Sequence, residues 1–303
     1  MRTFTLKGLF VTVVFMVLGC LAIHAADGDL ITKQITIKLE KAGTLPSKIG
    51  DTKKYKITNL KIMGEINGTD LDFIDDMAGR YDWGRLATLD LSEAKIVKGG
   101  DYYYHGYYFG DFFCYTWDDV IGDYAFSGCR SLTNLTLPSS VTEIDYKAFA
   151  GCSGLISLTL PSSVTEIGDY AFLGCRGLTS LTLPSSVTEI GWCAFSGCSG
   201  LTSIYVSRES PASIETSTFE DANTEKCILY VPKGTYDDYR FTYWGIFANI
   251  VEYDPTGINH ITTSGDAKEI SRYAADGQRL EVTAKGLNIV KYSDGSVKKV
   301  VVQ

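Results

Sequence analysis

The chain has 303 residues, 36 acidic against 28 basic, and a formal net charge of −8. With no concentrated Lys/Arg patch, this balance excludes a nucleic-acid backbone as partner, because phosphate binding needs a basic footprint. Three histidines, eight cysteines and 45% hydrophobic residues leave little for histidine chemistry and allow one long core with appended modules.

Residues 1–25 read as an export signal. Arg2 and Lys7 supply a basic start, Leu9–Ile23 is apolar but short for a membrane span, and Ile23-His24-Ala25 offers small-residue cleavage. The same stretch holds Val17-Leu18-Gly19-Cys20, which looks like a bacterial lipobox. Lipid anchoring to the outer membrane through Cys20 is therefore the alternative to ordinary secretion, with Leu18 the poorest match in the box. No other segment is long and apolar enough to cross a membrane. Residues 27–85 are expected to form an α/β N-terminal cap. Gln34–Leu39 and Tyr55–Ile62 alternate as strands, with Leu60 and Ile62 inward. Ala42–Ile49 reads as a short helix and Thr69–Met77 as a helix closed by Gly79.

From Leu86 a periodic region begins. The pattern Leu-x-x-Leu-x-Leu of Leu86/Leu89/Leu91 returns at Leu132/Leu135/Leu137, Leu155/Leu158/Leu160 and Leu178/Leu181/Leu183. Between these lie Asp123–Cys129, Tyr146–Cys152, Asp169–Cys175 and Trp192–Cys198, each ending in Ala-Phe-x-Gly-Cys and each 23 residues after the last. So strict a period predicts a solenoid, mainly β with short helices, built from 23-residue coils over residues 86–253. Within one coil, Leu135 and Leu137 alternate as a half-buried strand that Pro138 stops. Val141 and Ile144 re-enter the core, and Phe149 sits on a turn that Gly151 leaves at positive φ. One coil cannot stand alone. Ordering each backbone costs about 1–2 kcal/mol, which burial repays only when neighbours stack.

Leu86 precedes Leu132 by 46 residues, two periods. Either residues 98–119 are inserted into one coil, or Phe109, Phe112 and Cys114 mark a degenerate coil. Gly99-Gly100 and the crowd of tyrosines favour an insertion, read as a protruding loop rather than a strand. Tyr102, Tyr103, Tyr104, Tyr107, Tyr108 and Trp117 would make it a recognition loop, since such rings bring large contact area at low entropic cost. The competing reading folds the loop back onto the solenoid. On the regular coils, Asn134/Ser157/Ser180/Ser203 and Thr136/Thr159/Thr182/Tyr205 should line the strand face. Asn134, Thr136, Thr159, Thr182 and Tyr205 are its candidate binding residues. Glu143, Glu166 and Glu189 form a solvated acidic stripe. Cys129, Cys152, Cys175 and Cys198 would stand about 4.8 Å apart in a stack, within disulfide reach. A column of buried thiols is favoured, and linked pairs are the alternative.

The period breaks at Ser207–Ser213. Cys227–Gly234 reads as a last strand, Thr235–Ile246 as a helix or turn covering the final coil, and Ile250–Tyr253 as its closure. Residues 254–268 form a linker and 269–303 a small β module. Its strands are Ile270–Tyr273, Gln278–Val282, Leu287–Tyr292 and Val297–Val302, with turns at Asp276-Gly277 and Asp294-Gly295.

The unit Leu-Pro-Ser-Ser-Val-Thr-Glu-Ile-Gly-x-x-Ala-Phe-x-Gly-Cys-x-x-Leu resembles the BspA-like leucine-rich repeats of bacterial surface proteins, common in Bacteroidetes. The resemblance implies a leucine-rich-repeat solenoid and adhesion to host matrix or bacterial surface proteins. It carries no fixed binding residues. Arg272-Tyr-Ala-Ala-Asp-Gly-Gln-Arg-Leu, Lys285-Gly-Leu-Asn-Ile-Val and Gly295-Ser-Val-Lys-Lys are similar to the C-terminal sorting domains of type IX secretion. There the usual Asp-Leu after the tyrosine is replaced by Ala274-Ala275. Past the signal only His105 and His260 remain, and no Gly-x-Ser-x-Gly elbow, HExxH or phosphate-cradling loop is present. The expectation is an exported, non-catalytic binding protein without cofactor or metal. Its partner would be a host extracellular matrix or bacterial surface protein. The alternative is a carbohydrate-binding accessory protein using residues 102–117.

Overall fold

A computed structural model describes residues 30–80, 83–107 and 111–254, together with the backbone of four strands within 269–302. The export signal, Cys20, Tyr108, the linker and the two C-terminal turns lie outside the described residues.

The fold is mainly strand with few helices. Two compact units are distinguished: residues 1–231 with 235–251, and residues 232–234 with 252–303. In the first unit the chain begins with β1 (Ile35–Leu39), α1 (Leu45–Ile49), α2 (Asp51–Lys54), β2 (Asn59–Ile66) and α3 (Gly68–Met77). Then β3 (Thr88–Ile96) leads to β4 (Gly99–Gly106) and β5 (Phe112–Thr116). The coils follow, with short strands alternating between two sheets. Those of the larger sheet are β7 (Asn134–Thr136), β9 (Ser157–Thr159), β11 (Ser180–Leu183) and β13 (Ser203–Val206). Those of the smaller are β6 (Val120–Ile121), β8 (Glu143–Ile144), β10 (Glu166–Ile167) and β12 (Glu189–Ile190). The unit closes with β14 (Ile228–Pro232), α4 (Tyr236–Arg240) and β15 (Asn249–Tyr253).

The large sheet runs β1-β2-β3-β7-β9-β11-β13-β14-β15, the small one β12-β10-β8-β6. Pairing is parallel from β1 through β14 and throughout the small sheet. Asn134, Ser157, Ser180 and Ser203 stand in one register column, and Glu143, Glu166 and Glu189 in another. Leu135, Leu158, Leu181 and Ile204 lie buried between the sheets, each flanked by polar neighbours facing out, the period-two pattern of a strand with one covered face.

The Ala-Phe turn holds the coils together. Phe126, Phe149 and Phe172 each donate a backbone N–H over 2.7 Å to the carbonyl of Ala148, Ala171 and Ala194 in the next coil. Their rings form a column that continues through Phe195 to Phe219, with centroids 5.0–5.3 Å apart and planes within 9°. Phe219 ends it against Trp244 and Phe247, and the Trp244 indole N–H donates to the Ala212 carbonyl (2.9 Å). Gly128, Gly151, Gly174 and Gly197 leave the turn at φ of 70–79°, where a side chain would crowd the backbone.

The cysteine column is a ladder of thiols. All seven described cysteines are free and buried. Cys152, Cys175 and Cys198 donate Sγ–H to the carbonyls of Phe126, Phe149 and Phe172. Each thiol thus fills a small apolar site and satisfies a buried acceptor.

Several expected elements differ. Within the insertion, residues 99–106 and 112–116 are strands rather than loop. They form an antiparallel hairpin, β4 with β5, pairing Tyr104 with Cys114 and His105 with Phe113. Aromatic residues favour extended backbone, and alternation gives β5 an inward set (Cys114, Thr116) and an outward set (Phe113, Tyr115). Gly99 and Gly100, both at positive φ, turn the chain into β4. The strand read over Tyr55–Ile62 is displaced to Asn59–Ile66, because residues 51–54 coil into α2. The helix read over Thr69–Met77 starts one residue earlier: Asn67 caps it, and Asp70 completes a capping box.

In the second unit β16 (Glu269–Ala274), β17 (Arg279–Leu280), β18 (Gly286–Tyr292) and β19 (Val297–Val302) form an antiparallel sheet in the order β17-β16-β18-β19.

Two outcomes follow from the turn. Nothing lies within 4 Å of a Cβ added at Gly174, so Gly174→Ala should cost about 1 kcal/mol through backbone strain alone, read as a lower urea midpoint. Burial pushes the Cys152 thiol up to about 12 and those of Cys114 and Cys227 to about 11. Ellman's reagent should therefore react slowly with native protein at mildly alkaline pH and rapidly once it is denatured. Fast native labelling, or thiols missing after denaturation, would contradict the buried, reduced ladder.

Candidate functional site

The hairpin leaves the solenoid after β3 and rejoins it at β6, so it lies beside the first Ala-Phe turn. No Ala-Phe turn precedes it. In later coils the carbonyls of Tyr146 and Ala150 accept N–H groups from Tyr124 and Gly128 of the preceding coil. Their counterparts in the first coil, one period earlier, are Asp123 and Ser127. The Tyr103 hydroxyl donates to the Asp123 carbonyl (3.0 Å), and Arg80 Nε donates to the Ser127 carbonyl (3.0 Å). Two side chains therefore stand in for a missing coil.

Arg80 does more. Its Nη1 reaches the Tyr103 carbonyl (3.1 Å) and the Asp75 carboxylate (2.6 Å), and its Nη2 the Tyr124 carbonyl (2.6 Å). One guanidinium fork ties α3, the hairpin and the first turn together. Asp75 Oδ1 also accepts from Cys129 Sγ (3.3 Å). Cys129, with no earlier phenylalanine carbonyl to use, takes the carboxylate instead. Burial pushes the Asp75 carboxyl up, and Arg80 opposes that shift.

The outward side of the hairpin carries Tyr102, Tyr107, Phe113, Tyr115 and Trp117, between 43% and 71% exposed. Tyr102 lies 4.8 Å from Phe113 and 6.5 Å edge-on to Tyr115. His105 stacks on Phe113 (4.4 Å, 17°) and lies 3.2 Å from Asp111. Lys98 Nζ sits 4.1 Å over the Trp117 ring. The hairpin also borders a cleft of about 240 Å³, lined from its own side by Tyr103, Phe112, Phe113, Cys114, Tyr115 and Trp117 and from the first coils by Gly122, Asp123 and Asp145. Burial, and then the charges of Asp123, Glu143 and Glu166, push the Asp145 carboxyl up to about 6.

From the hairpin a row of rings continues along the solenoid. Tyr104 stacks on Tyr124 (4.3 Å, 6°), followed edge-on by Tyr146 (5.4 Å), Tyr170 (5.7 Å) and Trp192 (5.0 Å). Lys147 Nζ lies 4.9–5.7 Å from the Tyr124, Tyr146 and Tyr170 centroids. The rings occupy two adjacent repeat positions in alternation. Asp123-Tyr124, Tyr146-Lys147, Asp169-Tyr170 and Trp192-Cys193 precede successive Ala-Phe pairs. Where the first position is Asp, its Oδ1 accepts the next coil's aromatic N–H, Tyr146 to Asp123 (3.1 Å) and Trp192 to Asp169 (2.7 Å). The second position holds φ of 52–60° without glycine. Sequence reading missed this row because it followed the invariant positions, whereas the signal is a two-coil alternation just before them.

The sequence candidates separate into distinct surfaces. Tyr102, Tyr107 and Trp117 are exposed on the hairpin. Tyr103 is not a surface residue: its ring is 2% exposed, because its hydroxyl is held by the Asp123 carbonyl. Tyr104 is half-buried in the ring row. Asn134, Thr136, Thr159 and Thr182 are exposed on the large sheet, and Tyr205 stacks there on Tyr230 (4.4 Å, 4°). None of these five lines the cleft. Among the described residues no group of His, Cys, Asp and Glu could hold a metal, and no helix is long and apolar enough to cross a membrane.

Coils of this length and turn chemistry have relatives. Residues 119–243 match the BspA type leucine rich repeat region in six copies. The BspA-type match starts at Asp119, where the chain returns from the hairpin, and so leaves the hairpin outside it. The solved structures similar to this chain include a T. pallidum leucine rich repeat protein, 29% identical over 45% of this chain and 64% of that one (TM-score 0.37). Others are the pneumococcal vaccine antigen PcpA (16%, 65% and 57%, TM-score 0.38) and a Bacteroides ovatus leucine-rich repeat protein (19%, 45% and 49%, TM-score 0.27). This chain spans less than two thirds of each. No curated protein matches it.

Removing the clamp should be costly. Arg80→Ala leaves Asp75 buried without its cation, a loss of about 3–5 kcal/mol once the carboxyl is ionised. Burial holds native Asp75 up at about 8 even with Arg80 beside it, and removing Arg80 raises it further, so the variant keeps a proton that the native protein sheds. In urea titrations the gap between variant and native protein should therefore widen as pH rises past about 8; a gap independent of pH across that range would exclude Asp75 as its cause.

Proposed function

We propose that this chain is an exported, non-catalytic repeat protein that adheres, at the cell surface or outside the cell, to a host extracellular matrix or bacterial surface protein. The observation that carries this reading is the hairpin, with five exposed rings on one side and Tyr103 and Arg80 fastening the other. Held rigid in this way, aromatic side chains give up little entropy on binding, and an exposed apolar patch of this kind marks an interaction surface. The BspA-type repeat match over residues 119–243 supports a scaffold role, with residues 27–85 and the Trp244 segment as the two caps. Export through the signal, with lipidation at Cys20 as its variant, and sorting through residues 269–303 belong to the same reading.

A carbohydrate ligand is the second reading, favoured by the rings and carboxylates that meet in the cleft. One experiment separates them. The mature protein and Tyr102→Ser/Tyr107→Ser/Tyr115→Ser, whose rings are exposed, are tested on immobilised matrix proteins and on a glycan array. Matrix binding lost by the variant supports adhesion, glycan binding lost by the variant supports the second reading, and binding to neither overturns both.

A further inference from the structure

Resting on the adhesion reading, we propose that the cleft between β5 and the turns after β6 and β8 receives a basic side chain, arginine or lysine, of the partner protein. Its lining brings the aromatic residues Phe113, Tyr115 and Trp117 together with Asp123 and Asp145. Neither carboxylate has an ion-pair partner among the described residues, and Glu143 and Glu166 add negative charge near Asp145.

Ionised carboxylates only accept hydrogen bonds. The Tyr103 hydroxyl already donates to the Asp123 carbonyl, and the Tyr115 hydroxyl and the Trp117 indole N–H remain as donors among the described lining residues. Guanidinium and ammonium groups only donate, and they bind aromatic faces as well. The protein's own cations pair with rings in the same manner, Lys98 over Trp117 at the cleft (4.1 Å) and Arg80 over Tyr104 outside it (5.1 Å). A net charge of −8 favours approach of a basic segment.

The probe is hexa-arginine, with hexa-lysine and chitohexaose as comparators, titrated into the mature protein by calorimetry. Asp123→Asn/Asp145→Asn should weaken hexa-arginine binding about tenfold, and Trp117→Leu should weaken it too. Glu209→Gln/Glu225→Gln, which removes the same charge from exposed sites outside the cleft, should leave it unchanged. Equal losses in both charge variants would reduce the effect to diffuse attraction and overturn the proposal, as would cleft-dependent binding of chitohexaose alone. Circular dichroism melts confirm that each variant is folded. If the cleft variant binds hexa-arginine like the native protein while the Tyr→Ser variant loses matrix binding, the cleft assignment falls and the adhesion reading stands. If matrix binding is absent but the cleft variant loses hexa-arginine, the site stands without that partner class.

Discussion

At each Ala-Phe turn the backbone N–H of the phenylalanine points out of its own coil, and its acceptor is a carbonyl of the next one. A buried amide left without a partner costs as much as the bond it lacks. No coil is therefore complete by itself, and the assembly must end on something that is not a coil. Much of the structure answers that requirement. The phenylalanine column ends against Trp244, tilted to the last ring, and Phe247, edge-on to it, which cover that ring with apolar surface. At the other end the first coil's carbonyls are met by a tyrosine hydroxyl and a guanidinium, and its thiol by a carboxylate.

The same requirement ties stability to the exposed aromatic face. A strand has two faces. In the hairpin the inward one completes the first coil, while the outward one has no packing task and carries exposed rings. Tyr103 and Tyr102 are neighbours in sequence with opposite roles. Rigidity on the outer side is a consequence of the anchoring on the inner side, so the exposed aromatic face forms only on a finished solenoid end.

Along the flank, stacking also arranges the aromatic row. Rings at the same position in every coil would lie face to face, as the core phenylalanines do. Alternation between two positions turns Tyr146, Tyr170 and Trp192 edge-on to their neighbours, a favourable quadrupole geometry, and makes room for Lys147 among them. The aspartates at the alternate coils cap the next coil's aromatic N–H.

The sequence by itself determined whatever the repeats state several times: the spacing of Leu135, Leu158 and Leu181, the inward phenylalanines, the glycine exits and the preference for free thiols over linked pairs. Each follows from local periodicity, and each copy corroborates the others. It did not reveal that the tyrosine-rich insertion is a hairpin, that Tyr103 faces inward, or that Arg80 joins three elements. Nor did it show that Asp123 and Asp145 share a cleft with Trp117 while Thr136, Thr159 and Thr182 lie on another surface. Those are contacts made once, between residues from different coils and segments, and they carry no periodic trace. Only the stacked chain brings their partners together, because which side chain fills a missing coil's place depends on where the stack ends.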